Sequence, residues 1–204
     1  MELARPYAAF LLSSSDIRLA FVKATEAPIT SPCAPSHEVA REGAVIKLQD
    51  RWGAFSRDLV LLSAVGSVRT TSGMSITRQC GSSAVALRTL RATFTGRATK
   101  GRDWEPKWFD PAEAVDAAGR LRISNFAAVS AALGATPAPL AELRAVRNFF
   151  AHRGAVAGST ARRVIGVATT PEVHDYLTAT LSGGALRFEV WIAMLQSMAR
   201  AAVS

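Results

Sequence analysis

Apolar residues recur at spacings of three and four along most of the chain, which is the period of an amphipathic α-helix. The stretch 27–35 contains three prolines and is predicted to be a loop, because proline cannot continue a helix. Turn-forming residues are dense over 66–81, which fits either a loop or a short hairpin. We therefore predict an all-α bundle with an irregular or short-hairpin insertion around 66–103, and with longer helices at 3–24, 37–64, 82–94 and 185–203.

Residues that favour helix ends indicate further helices in the second half. Asp110, followed by proline and then by a glutamate three residues on, has the pattern of a helix N-cap. Gly134 is expected to close a helix begun at Ser124, in the left-handed conformation. Gly154 is expected to end the next, and Thr170 to begin another. The residues expected to be buried include Phe10, Phe21, Val39, Trp52, Phe55, Leu59, Phe188, Trp191, Leu195 and Met198.

Composition is consistent with one folded domain. The chain has 204 residues, of which 49% are hydrophobic and 20% charged, enough to build a packed core. We predict a single domain over 1–204, with a core at about 37–203 preceded by an N-terminal helix and proline-rich loop at 1–36. No long uninterrupted apolar run or secretory signal is evident, so we expect no membrane association and a cytoplasmic location.

Charge gives the first indication of a partner. The net charge is +8, and neither 59–102 nor 143–171 contains an acidic residue. Such regions attract polyanions. A genome that encodes arginine where others encode lysine would produce the same excess of arginine without any role in binding. The segment that contains Arg97, Lys100 and Arg102 has two interpretations: it contacts the RNA backbone, or it is a solvated loop. The two cysteines and three histidines lack metal-ligand spacing, so neither a metal nor another cofactor is expected.

The segment 140–154 carries the candidate chemistry. On a helical projection its large apolar residues, Leu143, Val146, Phe149 and Phe150, share one side and should be core. The other side presents Arg147, Asn148 and His152 around the small residue Ala151. Arg147 and His152 project about 140° apart, so that they flank this face rather than touch.

This set of residues suits phosphodiester cleavage in RNA, which carries its own nucleophile, the 2′-hydroxyl. His152 is the candidate general acid or base, since histidine titrates near neutral pH. Arg147 is the candidate ligand for the phosphate and its transition state. Asn148, one turn before His152, is expected to orient the imidazole. Arg144 and Arg153 are candidate contacts to the RNA backbone.

The same residues resemble the HEPN superfamily, whose motif is arginine, four to six residues, then histidine, often with asparagine directly after the arginine. Residues 125–134 with Leu140 and Leu143, and the downstream pattern from Thr170-Pro171 to Trp191, resemble its RiboL-PSP branch. The resemblance covers about 37–203 and is strongest over 124–154.

The resemblance implies a helical bundle that forms a homodimer, in which two Arg/His sets meet in one cleft. It implies metal-independent cleavage of RNA to a 2′,3′-cyclic phosphate, in a toxin or antiphage system with a possible antitoxin or other regulatory protein. One residue departs from the pattern. Toxins of this family that are silenced by a nucleotidyltransferase carry a modified tyrosine two residues after the histidine, where this chain has Gly154.

Other interpretations of the same residues stay open. A HEPN scaffold could keep the motif and bind RNA or a protein without cutting, and a helical interaction protein unrelated to RNA is the third possibility. Arg147 could be structural and pair with Glu142 or Asp175, and His152 could simply interact with the helix dipole. Trp52, Trp104 and Trp108 could stack on bases, although core packing is the commoner role of such residues.

Overall fold

The computed structural model describes residues 2–26, 34–66, 68–94 and 104–204, without the side chains of 34–36, and it confirms the all-α class. Within those residues there are nine α-helices and one two-stranded sheet. The elements are α1 (Ala4–Glu26), α2 (Ala34–Val65), β1 (Val68–Arg69), β2 (Ser75–Ile76), α3 (Ser83–Thr93), α4 (Pro111–Arg120), α5 (Phe126–Gly134), α6 (Ala138–His152), α7 (Ala155–Ile165), α8 (Pro171–Thr178) and α9 (Arg187–Val203).

Within the region 66–81, for which the sequence allowed a loop or a hairpin, residues 68–76 form a hairpin. β1 and β2 pair antiparallel, with Val68 opposite Ile76. Gly66 precedes the hairpin with a φ of +72°, and a Cβ at this position would lie 2.2 Å from the Cα of Arg78. A side chain therefore cannot be accommodated there without moving backbone.

None of the described helices is, by itself, long and apolar enough to cross a membrane; α5 and α6 pass that test of length and composition only when they are taken together.

The chain divides into two compact units, and the boundary falls within α1, α2 and α9. Unit 1 comprises Met1–Phe10, Trp52–Ala135 and Ser197–Ser204, and unit 2 comprises Leu11–Arg51 and Thr136–Gln196. The assignment of a single domain over 1–204 stays a prediction.

Aromatic side chains build the core of unit 1. The ring of Trp52 is 1% exposed and packs against Phe10 and Phe55, with centroids 5.8 and 5.6 Å away. Trp108 is also buried, and its indole N–H donates to Glu105 at 2.8 Å. Because both indoles are enclosed, neither presents a face on which a nucleobase could stack.

Glu105 anchors the segment before α4. Its carboxylate accepts two hydrogen bonds from the Arg57 guanidinium, at 2.7 and 3.0 Å. The hydrogen bond from Arg57, supported by that from Trp108, holds the pKa of Glu105 below its ordinary value. At the end of this segment, Asp110 caps α4 by accepting a hydrogen bond from the Ala112 N–H, which confirms the N-cap expected there.

Unit 2 is built around the apolar sides of α6 and α9. The rings of Phe21 and Phe188 stack at 4.1 Å, and the fully buried Trp191 packs edge-on to Phe188. The four large apolar residues of α6 are each 5% exposed or less, which confirms their core assignment. Val39 was expected to be buried, but this is wrong, because it is 65% exposed on α2.

Two helix ends differ from the sequence expectation. Gly134 is the last residue of α5 and is followed by an extended Ala135, so it is not a left-handed terminator. The left-handed residue after α6 is Arg153, with a φ of 51°, and Gly154 is the N-cap of α7 instead. Helix α7, which ends at the left-handed Gly166, was not predicted from the sequence.

Candidate functional site

The helix that carries the motif, α6, is fixed on its buried side. Its apolar residues enter the unit 2 core, and Glu142 on the same helix accepts a 3.0 Å hydrogen bond from the Trp191 indole. The residues predicted to carry chemistry lie outside this buried set: Asn148 and His152 are exposed, and Arg147 is partly buried.

The C-terminal end of α6 is held by a buried carboxylate. Arg153 adopts the left-handed conformation, its backbone N–H caps the helix on the Phe149 carbonyl, and its side chain pairs with Glu42 of α2. His174 of α8 places its Nε2 3.4 Å from the second oxygen of Glu42. Glu42 therefore joins two elements beside His152. The Arg153 side chain is half exposed and is paired with Glu42. Its contact with an RNA backbone stays a prediction.

Arg147 points towards α2. Its terminal nitrogen lies 3.4 Å from Oδ1 of Asp50, a residue that the sequence analysis did not consider as its partner. Glu142, which it did consider, instead accepts from Trp191. The Arg147 side chain is 20% exposed, and within the described residues its buried Nε has no hydrogen-bond partner.

Asn148 and His152 are both exposed and line one groove of about 420 Å³ between α6 and α7. The structure thus brings these two predicted residues together. Arg147, in contrast, is not among the described residues that line the groove. The full lining set is Ala145, Asn148, His152, Gly154, Val156, Ala157 and Thr160.

Close packing of α7 on α6 creates the groove. A Cβ on Gly158 would lie 3.4 Å from the Phe149 ring, and Ala161 is fully buried, so small residues let the two helices approach. Val156 is left 82% exposed at the rim. The α7 side of the groove was not predicted from the sequence. A signal for this helix was present, because Gly166 preceded by two basic residues is the pattern of a helix end.

The other predicted cations are placed differently. Arg144 is half-buried on α6, one turn before Asn148. Arg97, Lys100 and Arg102 lie outside the described residues. Across the described ranges, no group of three or more His, Cys, Asp or Glu side chains could hold a metal ion.

Tyr176, a half-buried phenol that hydrogen-bonds to Glu142 of α6, has a raised pKa. Burial, reinforced by a hydrogen bond to Glu142, raises the pKa of Tyr176 to about 12, against a smaller opposing effect from Arg187. The Arg187 guanidinium carbon lies 4.9 Å from the centre of the phenol ring. Tyr176 and Trp191 therefore both depend on the carboxylate of Glu142.

We expect this shift to be measurable in the Tyr7→Phe variant, in which Tyr176 is the remaining tyrosine. Phenolate absorbance should titrate with a midpoint of about 12 while circular dichroism reports folded protein. Because the folded pKa lies above that of the unfolded chain, the neutral phenol stabilises the fold below pH ~10, and that contribution is lost as the pH rises through about 12. A midpoint near 10 in folded protein would contradict the buried placement.

Comparison of the chain with protein-family models, with curated proteins and with solved structures finds no significant match. The fold and site therefore define an all-α protein with an exposed His/Asn groove.

Proposed function

We propose that this protein is a metal-independent endoribonuclease of the HEPN type. The observation that carries the proposal is the placement of His152, which is exposed at the end of α6 beside Asn148 in an open groove. Arg147 is presented from the adjacent side of the same helix. The imidazole can transfer one of the two protons in cleavage by the 2′-hydroxyl, the guanidinium can stabilise the phosphate charge, and the amide can orient the imidazole.

In the proposed reaction the RNA 2′-oxygen attacks the neighbouring phosphorus, and the bond from phosphorus to the 5′-oxygen breaks. One proton leaves the 2′-hydroxyl and one is delivered to the departing 5′-oxygen, so the products are a 2′,3′-cyclic phosphate and a 5′-hydroxyl. His152 is assigned one of these transfers, and Asn148 orients its imidazole. Arg147 stabilises the negative charge that develops on the phosphate oxygens.

Arg147 can reach a phosphate only by leaving or sharing Asp50. Solvent at the carboxylate of Asp50 screens this ion pair, and screened pairs typically contribute at most ~1 kcal/mol. Asp50 is 61% exposed and the contact is long, at 3.4 Å. A phosphate offers two charge-assisted hydrogen bonds to a guanidinium, which is a stronger interaction. The pair with Asp50 is therefore compatible with release of Arg147 to the substrate.

The proposal includes a homodimer in the cytoplasm. One Arg/His set supplies one proton-transfer group, and a second copy related by twofold symmetry supplies the other. Ala151, exposed in the middle of the motif face, leaves room for such an approach. Light scattering at micromolar concentration should give twice the mass of the chain.

From the family resemblance, the biological role is that of a toxin or antiphage effector restrained by an antitoxin or other regulatory protein.

The non-catalytic scaffold is the second candidate, and one observation favours it. Arg147 is four-fifths buried and already paired with Asp50, as a structural arginine would be. A scaffold of this kind would bind RNA or a protein through the same surface without cutting.

The two candidates differ in the behaviour of Arg147 variants in EDTA. If the protein is a nuclease, wild type cleaves single-stranded RNA, Arg147→Ala loses about 10²- to 10³-fold in rate, and Arg147→Lys retains part of it. Arg88→Ala, which removes an exposed arginine from α3, is the matched control and should cleave like wild type. Binding without cleavage by wild type and both Arg147 variants would establish the scaffold instead.

A further inference from the structure

The α6–α7 groove is larger than an acid or base acting on a phosphodiester needs. Its volume of about 420 Å³ lies within the range of ~300–1,000 Å³ that is typical of small-molecule sites. His152 and Asn148 occupy one wall, but the opposite wall belongs to α7, which the motif does not include. The proposed cleavage therefore assigns no role to the α7 wall.

The walls combine apolar surface with a few hydrogen-bonding groups. Ala145, Val156 and Ala157 supply the apolar part, whereas Asn148 and Thr160 supply an amide and a hydroxyl. An amide both donates and accepts hydrogen bonds, and a hydroxyl does the same. This combination is suited to a flat heteroaromatic ring with polar edges, which is the chemistry of a nucleobase.

The charge near the groove favours an anionic ligand, such as a nucleotide, over a cationic one. Among the described residues that line the groove, no carboxylate is present. Arg163 is exposed on α7 and projects from nearly the same side of that helix as Val156 and Thr160, seven and three residues before it. The Arg163 guanidinium can therefore bind a phosphate of RNA next to the end of the groove that Thr160 lines.

We propose that the α6–α7 groove is a subsite for one unpaired nucleobase of the RNA, adjacent to the phosphodiester on which His152 acts. The inference rests on the proposed function and extends it, because it makes the substrate single-stranded at the cleavage point and the cleavage base-selective. A base can enter a side groove only when it is not paired in a duplex. Thr160 and Asn148 are then the residues that determine which base is favoured.

Binding can be measured without any cleavage. Wild-type protein labelled at alanine and valine methyl groups is titrated with each of the four nucleoside 3′-monophosphates, and with ribose 5-phosphate as the base-free control. The methyl signals of Ala145, Val156 and Ala157 should shift in a manner that depends on the base, with ribose 5-phosphate leaving them in place. Equal shifts with all five compounds, or none, would overturn the proposal.

Variants then test the groove directly. Ala157→Leu fills the groove and should weaken binding of the favoured nucleotide about tenfold. Ala155→Leu places the same side chain on an exposed position of α7 outside the lining set, and it should bind like wild type. Thr160→Val keeps the shape but removes the hydroxyl, and should change the order of preference among the four bases. An unchanged order in Thr160→Val, or Ala157→Leu that is folded and binds normally, counts against the subsite.

The outcomes separate this inference from the proposed function. Base-dependent shifts with no RNA cleavage support the subsite and reject the nuclease. Cleavage with base-independent shifts supports the nuclease and rejects the subsite.

Discussion

His152→Ala is expected to reduce the rate of RNA cleavage in EDTA by about 10²- to 10⁴-fold, the range for loss of a general acid or base. The imidazole is exposed at the end of α6, so its removal deletes a reacting group without opening a cavity. The unfolding midpoint should therefore stay close to that of wild type. Single-turnover cleavage of an end-labelled oligonucleotide measures this loss.

The control for this experiment is His37→Ala, purified in parallel. His37 lies near the start of α2 and belongs to unit 2 but not to the groove. Its activity should equal that of wild type, so that a loss confined to His152→Ala can be assigned to the imidazole of His152 and not to a contaminating ribonuclease. Loss of less than tenfold in His152→Ala would remove His152 from the chemistry.

Trp191→Ala is expected to lower the free energy of unfolding by about 3–5 kcal/mol, the usual effect of truncating a buried aromatic residue. Trp191 is fully buried, packs on Phe188 and donates to Glu142 of the motif helix. Its loss leaves a cavity and removes one partner of that carboxylate. Urea unfolding followed by circular dichroism measures the change.

Trp191→Phe separates packing from hydrogen bonding. It keeps a ring in the core and loses the bond to Glu142, so we expect a smaller decrease of about 1–3 kcal/mol. Leu12→Ala, at a position that is 70% exposed on α1, should change the free energy by less than ~0.5 kcal/mol. If Trp191→Ala unfolds with the same midpoint as Leu12→Ala, the described core of unit 2 is wrong.

The buried side of α6 was predictable because it depends on helical period alone. Leu143, Val146, Phe149 and Phe150 share one side of any α-helix over 138–152, and all four are buried. α7 was not predicted, because its contact with α6 is made by Gly158 and Ala161. Such small residues produce a weak apolar pattern.

The candidate site was predictable in its residues and less so in its partners. The pattern placed Asn148 one turn from His152, and the two do share a groove. The pairing of Arg147 with Asp50, and of Arg153 with Glu42, joins residues that are 97 and 111 positions apart. Contacts at such separations depend on how helices pack, which local periodicity does not specify.

Attack by the RNA 2′-oxygen can be tested with a single-stranded oligonucleotide that is cleaved at one mapped site in EDTA, and with the same oligonucleotide carrying one 2′-deoxynucleotide on the 5′ side of that bond. If His152 transfers a proton in this attack, the ribose substrate ends in a 2′,3′-cyclic phosphate and the deoxy position is not cleaved. Cleavage of the deoxy bond, or a 3′-hydroxyl product, would contradict it.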